Sequence, residues 1–213
     1  MKKVLFVMFA GTLMFNYSHA QQKSSSTKNT LSVGIKAGAN YSNVYDTEGE
    51  NFVADGKFGF TGGVFVAIPI ASFFGIQPEI LFSQRGFKGT GTLLGSSYSY
   101  TRTTGHLDIP LLLSIKPIPQ ISILVGPQFS YLLSEKNEYN SAVANSLQEQ
   151  QFENDNVRKN MLSIIGGVDF NLTNVILGLR GAWDTQQNNG DGTSSTPRYK
   201  NMWYQATIGF RLF

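Results

Sequence analysis

Apolar and polar side chains alternate along most of this chain after residue 30, and that period of two constrains the fold more than any other feature. In residues 31–42 every apolar residue stands at an odd position, whereas the even positions hold Ser, Gly, Lys and Asn. A strand with this pattern has one apolar and one polar face. Similar alternation recurs in the segments 58–68, 74–86, 107–116, 121–133, 160–170, 175–184 and 199–213. The sequence therefore predicts an all-β chain of eight strands.

The most apolar stretch, LDIPLLLSIKPIPQISILVGP (residues 107–127), has about the length of a membrane-spanning helix. Pro110, Pro117 and Pro119 exclude a helix, because each proline removes a hydrogen bond and clashes with the preceding turn. Read as strands, the stretch is a hairpin that turns at residues 117–119. Each arm has the roughly ten residues that a tilted strand needs to cross a bilayer.

The predicted connections alternate in length. Three are short, at residues 69–73, 117–119 and 172–174. Four are long and polar, at residues 44–56, 88–102, 135–158 and 185–198. Outer-membrane barrels have this layout, with short turns in the periplasm and long loops outside the cell. We therefore predict an eight-stranded antiparallel up-and-down transmembrane β-barrel in the outer membrane, with both termini in the periplasm.

A soluble, lipocalin-like barrel also alternates in this way, with its apolar face turned inward. The membrane interpretation is favoured by the polar face, which is rich in small residues, and by aromatic residues near the strand ends, where two interfacial girdles would lie. The predicted girdle residues are Tyr41, Phe58, Phe82, Tyr131 and Trp183 near the long loops and Phe74, Phe170 and Phe210 near the short turns.

The amino-terminal segment resembles a secretory signal peptide. A basic start, an apolar run and the small-x-small sequence Ser18-His19-Ala20 predict a signal peptide at residues 1–20, a flexible leader at 21–30 and the barrel at 31–213. Without Lys2 and Lys3 the formal charge falls from +3 to +1, so no nucleic-acid partner is predicted. The chain has no cysteine, which excludes disulfides and thiolate chemistry.

Several charged residues fall on the predicted inward face, where they need partners. The predicted lumen charge network consists of Lys36, Glu79, Arg85, His106, Asp108, Asp169 and Arg180. Lys36, Glu79 and Arg180 are expected at one level, where they can pair across the lumen. Since eight strands enclose a space just wide enough for side chains, we predict a filled lumen with no open channel.

Several motifs resemble the porin-like or PorT-like family of outer-membrane β-barrels. They are GIKAGANYSN (34–43), IQPEILFSQRGFK (76–88), LDIPLLLSIK (107–116), ILVGPQFSYLL (123–133), GGVDFN (166–171) and LGLRGAWD (177–184). The resemblance implies an eight-stranded barrel in a Gram-negative outer membrane, without one defined activity. The family's namesake is linked to a secretion machine.

Two features of the sequence do not fit a regular barrel. Pro78, Pro110 and Pro127 fall inside strands, where each removes a ladder hydrogen bond, so we expect a bulge at one or more of them. Phe213 is the expected assembly signal, which usually faces lipid. The lipid-facing residues of this strand are even-numbered and end at Phe210, however, so the odd-numbered Phe213 does not fall on their face.

No motif for catalysis, a cofactor or a metal stands out. The best nucleophilic constellation combines His106, Asp108 and Ser130, and a polar lumen network explains the same residues better. We therefore predict a non-enzymatic protein with a structural or interaction role through its extracellular loops. The alternative is an accessory subunit of an outer-membrane secretion or assembly machine, and a lipid-modifying enzyme and a small-solute pore rank below it. The expected partners are outer-membrane lipid, the barrel-assembly machinery during insertion and a larger outer-membrane complex.

Overall fold

The computed structural model describes residues 30–45, 53–93, 96–140, 157–189 and 199–212. The predicted signal peptide, all of the predicted leader except Thr30, and Phe213 lie outside these residues. Within them, no helix is long and apolar enough to cross a membrane.

Eight antiparallel strands form one closed barrel in which each strand pairs with its neighbours in sequence. The strands are β1 (Ser32–Tyr45), β2 (Val53–Pro69), β3 (Phe74–Leu93), β4 (Ser96–Ile118), β5 (Ile121–Asn140), β6 (Asn160–Leu172), β7 (Val175–Asp184) and β8 (Lys200–Arg211). Pairing of β1 with β8, from Gly34–Arg211 to Tyr45–Lys200, closes the barrel. The predicted fold class is thereby confirmed. We call the two ends of the barrel the short-turn end and the long-loop end.

Side chains on each strand alternate between the outside and the inside of the barrel, as the sequence pattern requires. The outer surface is apolar: residues such as Ile35, Leu179 and Ile208 are about half exposed. The inside holds most of the buried polar and charged residues. This is the opposite of a soluble barrel, where the apolar face fills the core.

The expectation of a bulge at a strand proline is wrong. Each proline loses pairing with the preceding strand but keeps it with the following one, and the register does not change across it. The pairs that remain are Pro78 with Leu111, Pro110 with Gln128 and Pro127 with Ile164. The missing N–H interrupts one ladder locally, whereas a bulge would turn the apolar residues that follow toward the lumen. The register shifts lie elsewhere, at Gly56/Thr61, Gly105/His106 and Ile115/Ile118.

Strands β3, β4 and β5 are longer than predicted. β3 continues to Leu93 and β4 begins at Ser96, so most of the predicted loop 88–102 is strand. β5 likewise continues to Asn140. The extra segments lack apolar alternation because they lie beyond the outer aromatic girdle, where neither face needs to be apolar. Together with the last residues of the predicted strands, these segments form what we call the sheet extension, residues 84–93, 96–105 and 133–140.

Candidate functional site

Four buried charged side chains meet inside the half of the barrel nearer the short turns. Glu79 of β3 lies between Lys36 of β1, whose Nζ is 2.8 Å from Glu79 Oε1, and Arg180 of β7. The Arg180 guanidinium donates to both Glu79 oxygens, at 2.8 and 3.0 Å, and to Asp169 Oδ2 at 3.2 Å. Gln77 donates a further hydrogen bond to Glu79 at 2.8 Å. We call Lys36, Glu79, Asp169 and Arg180 the four-charge cluster.

The four-charge cluster spans the lumen. β3 and β7 are four strands apart in a closed barrel of eight, so Glu79 and Arg180 reach toward each other from opposite walls. Two positive and two negative charges balance, and each side chain is 5% exposed or less. Buried charges are tolerated when they are paired and hydrogen-bonded, as they are here. The cluster therefore blocks the lumen at this level.

A second level of closure lies nearer the long loops. Arg85 forms an ion pair with Asp108, and its guanidinium lies 3.5 Å from the centroid of the Trp203 ring. Trp203 belongs to a buried apolar cluster with one residue from each of four other strands, namely Leu112, Leu124, Ile165 and Ala182. This level is filled mainly by packing, in contrast to the ionic level below it.

Arg102 and aromatic side chains fill the long-loop end. Arg102 donates to Tyr199 Oη at 2.5 Å and to Asn137 Oδ1 at 2.9 Å, and it pairs with Glu135 at 3.1 Å. The Phe87 ring contacts Tyr199 edge-on, with centroids 5.1 Å apart. Burial raises the pKa of the Tyr199 phenol, and the positive charge of Arg102 acts in the opposite direction. The phenol therefore stays neutral at neutral pH.

Side chains of β1 reach across β2 to the backbone of β3. Ser42 Oγ donates to Gly86 O at 2.7 Å and accepts from Gly86 N at 2.8 Å. Asn40 Nδ2 donates to Gln84 O at 3.1 Å. These contacts lie beside the β2–β3 register shift at Gly56/Thr61, where the two strands do not pair. Ser42 and Asn40 thus satisfy backbone groups that the shift leaves without a ladder partner.

All seven residues of the predicted lumen network are buried, but they do not form one network. Arg85 and Asp108 pair separately from the four-charge cluster. His106 joins neither group, and its Nδ1 has no hydrogen-bond partner in the described part of the chain.

The nucleophilic constellation is not assembled. Asp108 is held by Arg85, and Ser130 is fully buried and accepts a hydrogen bond from Gln128. No hydrogen bond joins His106 to either of them among the described residues. Within those same residues, no group of three His, Asp or Glu side chains is arranged to hold a metal ion.

The predicted girdle residues lie on the outer surface. Seven are exposed and Phe74 is partly buried. Tyr41 contacts Phe58 with ring centroids 4.9 Å apart. Phe60, Phe129 and Tyr204 are also exposed, as the alternation predicts, although they were not assigned to the girdles; exposed Phe73 lies in a predicted turn.

Two interior residues were also missed. The inward position of Trp203 could have been predicted, because the even-numbered residues of β8 face lipid and its odd-numbered residues therefore face the lumen. Arg102 was not, since it lies in a segment predicted as loop.

Comparison with known proteins finds barrels of the same kind. Residues 19–184, which include β1 to β7, match the family model described as outer membrane protein beta-barrel domain. A search of curated protein sequences gives no match.

Among solved structures, Neisserial surface protein A is similar with 10% identity and a TM-score of 0.50, over 85% of this chain and 98% of that one. OprG from Pseudomonas aeruginosa is 14% identical with a TM-score of 0.47, over 86% of this chain and 97% of that one. Ail, the attachment invasion locus protein of Yersinia pestis, is 11% identical with a TM-score of 0.44, over 85% of this chain and 98% of that one. At these identities the likeness concerns the fold alone.

Proposed function

Because the chain belongs to the outer membrane protein beta-barrel domain family and lies in the outer membrane, we propose that it acts as a non-enzymatic, non-conducting barrel that presents an extracellular surface to a protein partner. The filled lumen carries this proposal. Glu79 and Arg180 meet across the full width of the barrel, and Trp203 packs into a second level above them. Because a barrel closed in this way offers no path for a solute, we expect it to act by binding partners through its outer surfaces.

The sheet extension is the surface best suited to this role. It continues for about ten residues beyond the aromatic girdle, or roughly 33 Å along the strand direction. In the described residues, the pairing of β5 with β6 ends at Tyr131, so the outer edge of the β5 segment is open. Lys136 and Glu138 on this segment are well exposed and paired at 2.6 Å. Charges on an open edge discourage indiscriminate strand pairing while leaving the surface available to a specific partner.

Site-specific cross-linking in living cells tests the proposal. A photoreactive amino acid replaces Lys136 on the sheet extension or, as the matched control, Leu179 on the lipid-facing wall, where the side chain is 58% exposed. We expect one defined protein adduct from position 136 and lipid adducts from position 179. Purification from native membranes, with mass spectrometry of co-purifying proteins, then identifies the partner.

The same experiment separates the proposal from its alternative. A stoichiometric protein adduct from position 179 and none from position 136 would favour an accessory subunit that docks within the membrane. If neither position gives a protein adduct, the proposed interaction role is wrong.

A further inference from the structure

A cavity of about 570 Å³ opens at the short-turn end of the barrel. This end faces the periplasm, since short turns lie on that side in outer-membrane barrels. Lys116 of β4 and Arg211 of β8 line it, together with the polar side chains of Ser122 and Asn171. Phe65 and Ile176 provide apolar walls. The volume lies in the range of pockets that hold small organic ligands.

The charge of this cavity is not balanced by its lining. Among the described residues, no carboxylate lines it, and Lys116 has neither an ion pair nor a side-chain hydrogen bond. Arg211 donates to two neutral oxygens, the Thr173 carbonyl at 2.9 Å and Asn171 Oδ1. Both cationic side chains are partly exposed and so remain available to a ligand.

The charges deeper in the lumen do not neutralise the cavity, because Asp169, the carboxylate that attracts Arg211, is already paired with Arg180. Gln77 lines the cavity and donates to Glu79, and the four-charge cluster to which Glu79 belongs is neutral as a unit. The chain's own leader, residues 21–29, carries Lys23 and Lys28 and no acidic residue, so its charge does not complement the cavity. Two cations therefore face a cavity that has apolar walls and whose described lining residues supply no counter-charge.

We propose that the periplasmic cavity binds a phosphate group carried by an apolar chain, with Lys116 and Arg211 on the phosphate and Phe65 and Ile176 against the chain. Charge-assisted hydrogen bonds from Lys and Arg are the strong contacts to phosphate. Phe73 and Ile118, which also line the cavity, are exposed, and the short-turn end of such a barrel meets the periplasmic side of the membrane. A phospholipid of the periplasmic leaflet and a soluble periplasmic phosphate ester share this chemistry.

Binding of two probes tests the proposal and separates the two sources. The first is octyl phosphate, titrated against the full-length protein in neutral detergent. The second is phosphatidylglycerol in nanodiscs of mainly zwitterionic lipid, with retention measured by native mass spectrometry. Octanol and inorganic phosphate serve as controls that lack the phosphate or the chain. We expect saturable binding of at least one probe and of neither control.

Lys116→Gln is the decisive variant, because within the part of the chain that the structure describes its side chain has no protein partner whose loss would disturb folding. We expect it to weaken binding by about tenfold or more, as for the loss of one charge-assisted hydrogen bond. Lys136→Gln removes the same charge at the long-loop end and should leave binding unchanged. Heat-modifiable gel mobility verifies that each variant is folded.

Each outcome decides the matter. Binding of octyl phosphate alone identifies a soluble ligand, and retention of phosphatidylglycerol identifies a lipid ligand. Absence of saturable binding in both arms, or equal binding by Lys116→Gln and the unaltered protein, overturns the proposal.

Discussion

The interior charges illustrate how a polar residue is accommodated inside a narrow barrel. Glu79 receives hydrogen bonds from Lys36, Gln77 and Arg180, so that both of its oxygens are paired. Arg180 is in turn shared between Glu79 and Asp169. Such a group has little net effect on stability when complete, because the cost of desolvation offsets the attraction between charges. Removing one member is costly, since the others remain buried without compensation.

We predict that Glu79→Gln lowers the free energy of unfolding by about 3–5 kcal/mol, because it leaves Lys36 and Arg180 with Asp169 as their sole counter-charge. Urea unfolding in lipid vesicles, followed by tryptophan fluorescence, measures the change. The double variant Lys36→Met/Glu79→Gln restores the charge balance and should recover part of the loss. A change below about 1 kcal/mol for Glu79→Gln would show that the cluster is more accessible to water than the structure indicates.

Buried hydroxyl groups offer a second comparison at this scale. Ser42 Oγ makes two hydrogen bonds to the Gly86 backbone, whereas Ser114 Oγ is buried without a partner in the described residues. Ser42→Ala should cost about 1–3 kcal/mol, because the Gly86 N–H then remains buried and unpaired. Ser114→Ala should be close to neutral. Equal effects of the two substitutions in the same unfolding assay would contradict the proposed role of Ser42.

At the scale of the strands, alternation in the sequence was enough to predict their number, their order and the face on which each residue lies. Lipid on the outside and a narrow lumen on the inside impose opposite chemistry on neighbouring residues, and that requirement is visible in the chain. The same reasoning failed in the sheet extension, since water lies beyond the girdle and a strand such as residues 96–105 needs no apolar face. For Pro78, Pro110 and Pro127, sequence reasoning correctly predicted the loss of strand pairing. It did not predict that the strand register would be the same on both sides of each proline.

Glycine positions where strands approach closely are a feature of elements that composition alone does not reveal. A Cβ at Gly126 of β5 would lie 2.1 Å from the Leu111 carbonyl oxygen, beside the gap in pairing at Pro127. At Gly166 of β6 the nearest atom would be 3.5 Å away. We predict that Gly126→Ala lowers the unfolding free energy by about 1–3 kcal/mol because β4 and β5 must separate, and that Gly166→Ala does not. Urea unfolding of the two variants measures the difference. If Gly126→Ala leaves the free energy of unfolding unchanged, β4 and β5 can separate at this point at little cost.

At the scale of the whole molecule, two levels of different character close the lumen below the Arg102 and aromatic side chains that fill the long-loop end. The four-charge cluster blocks the lumen with ion pairs between opposite walls, and the level of Trp203 blocks it with packed side chains. The cavity at the short-turn end adjoins the first level, because Gln77 lines the cavity and donates to Glu79. Because the two levels share no residue, loss of one should leave the other in place.

We therefore predict that opening either level alone leaves the barrel electrically silent. Leu112→Ala/Trp203→Ala removes most of the packed level but keeps the ionic level, and Glu79→Ala/Arg180→Ala does the reverse. Stable current steps in planar lipid bilayers should require all four substitutions, combined with removal of the Arg102 side chain at the long-loop end by Arg102→Ala. Heat-modifiable mobility on gels must first show that each variant is folded. Current steps from the unaltered protein, or equal steps from one two-residue variant and the combined variant, would show that the lumen is not closed twice.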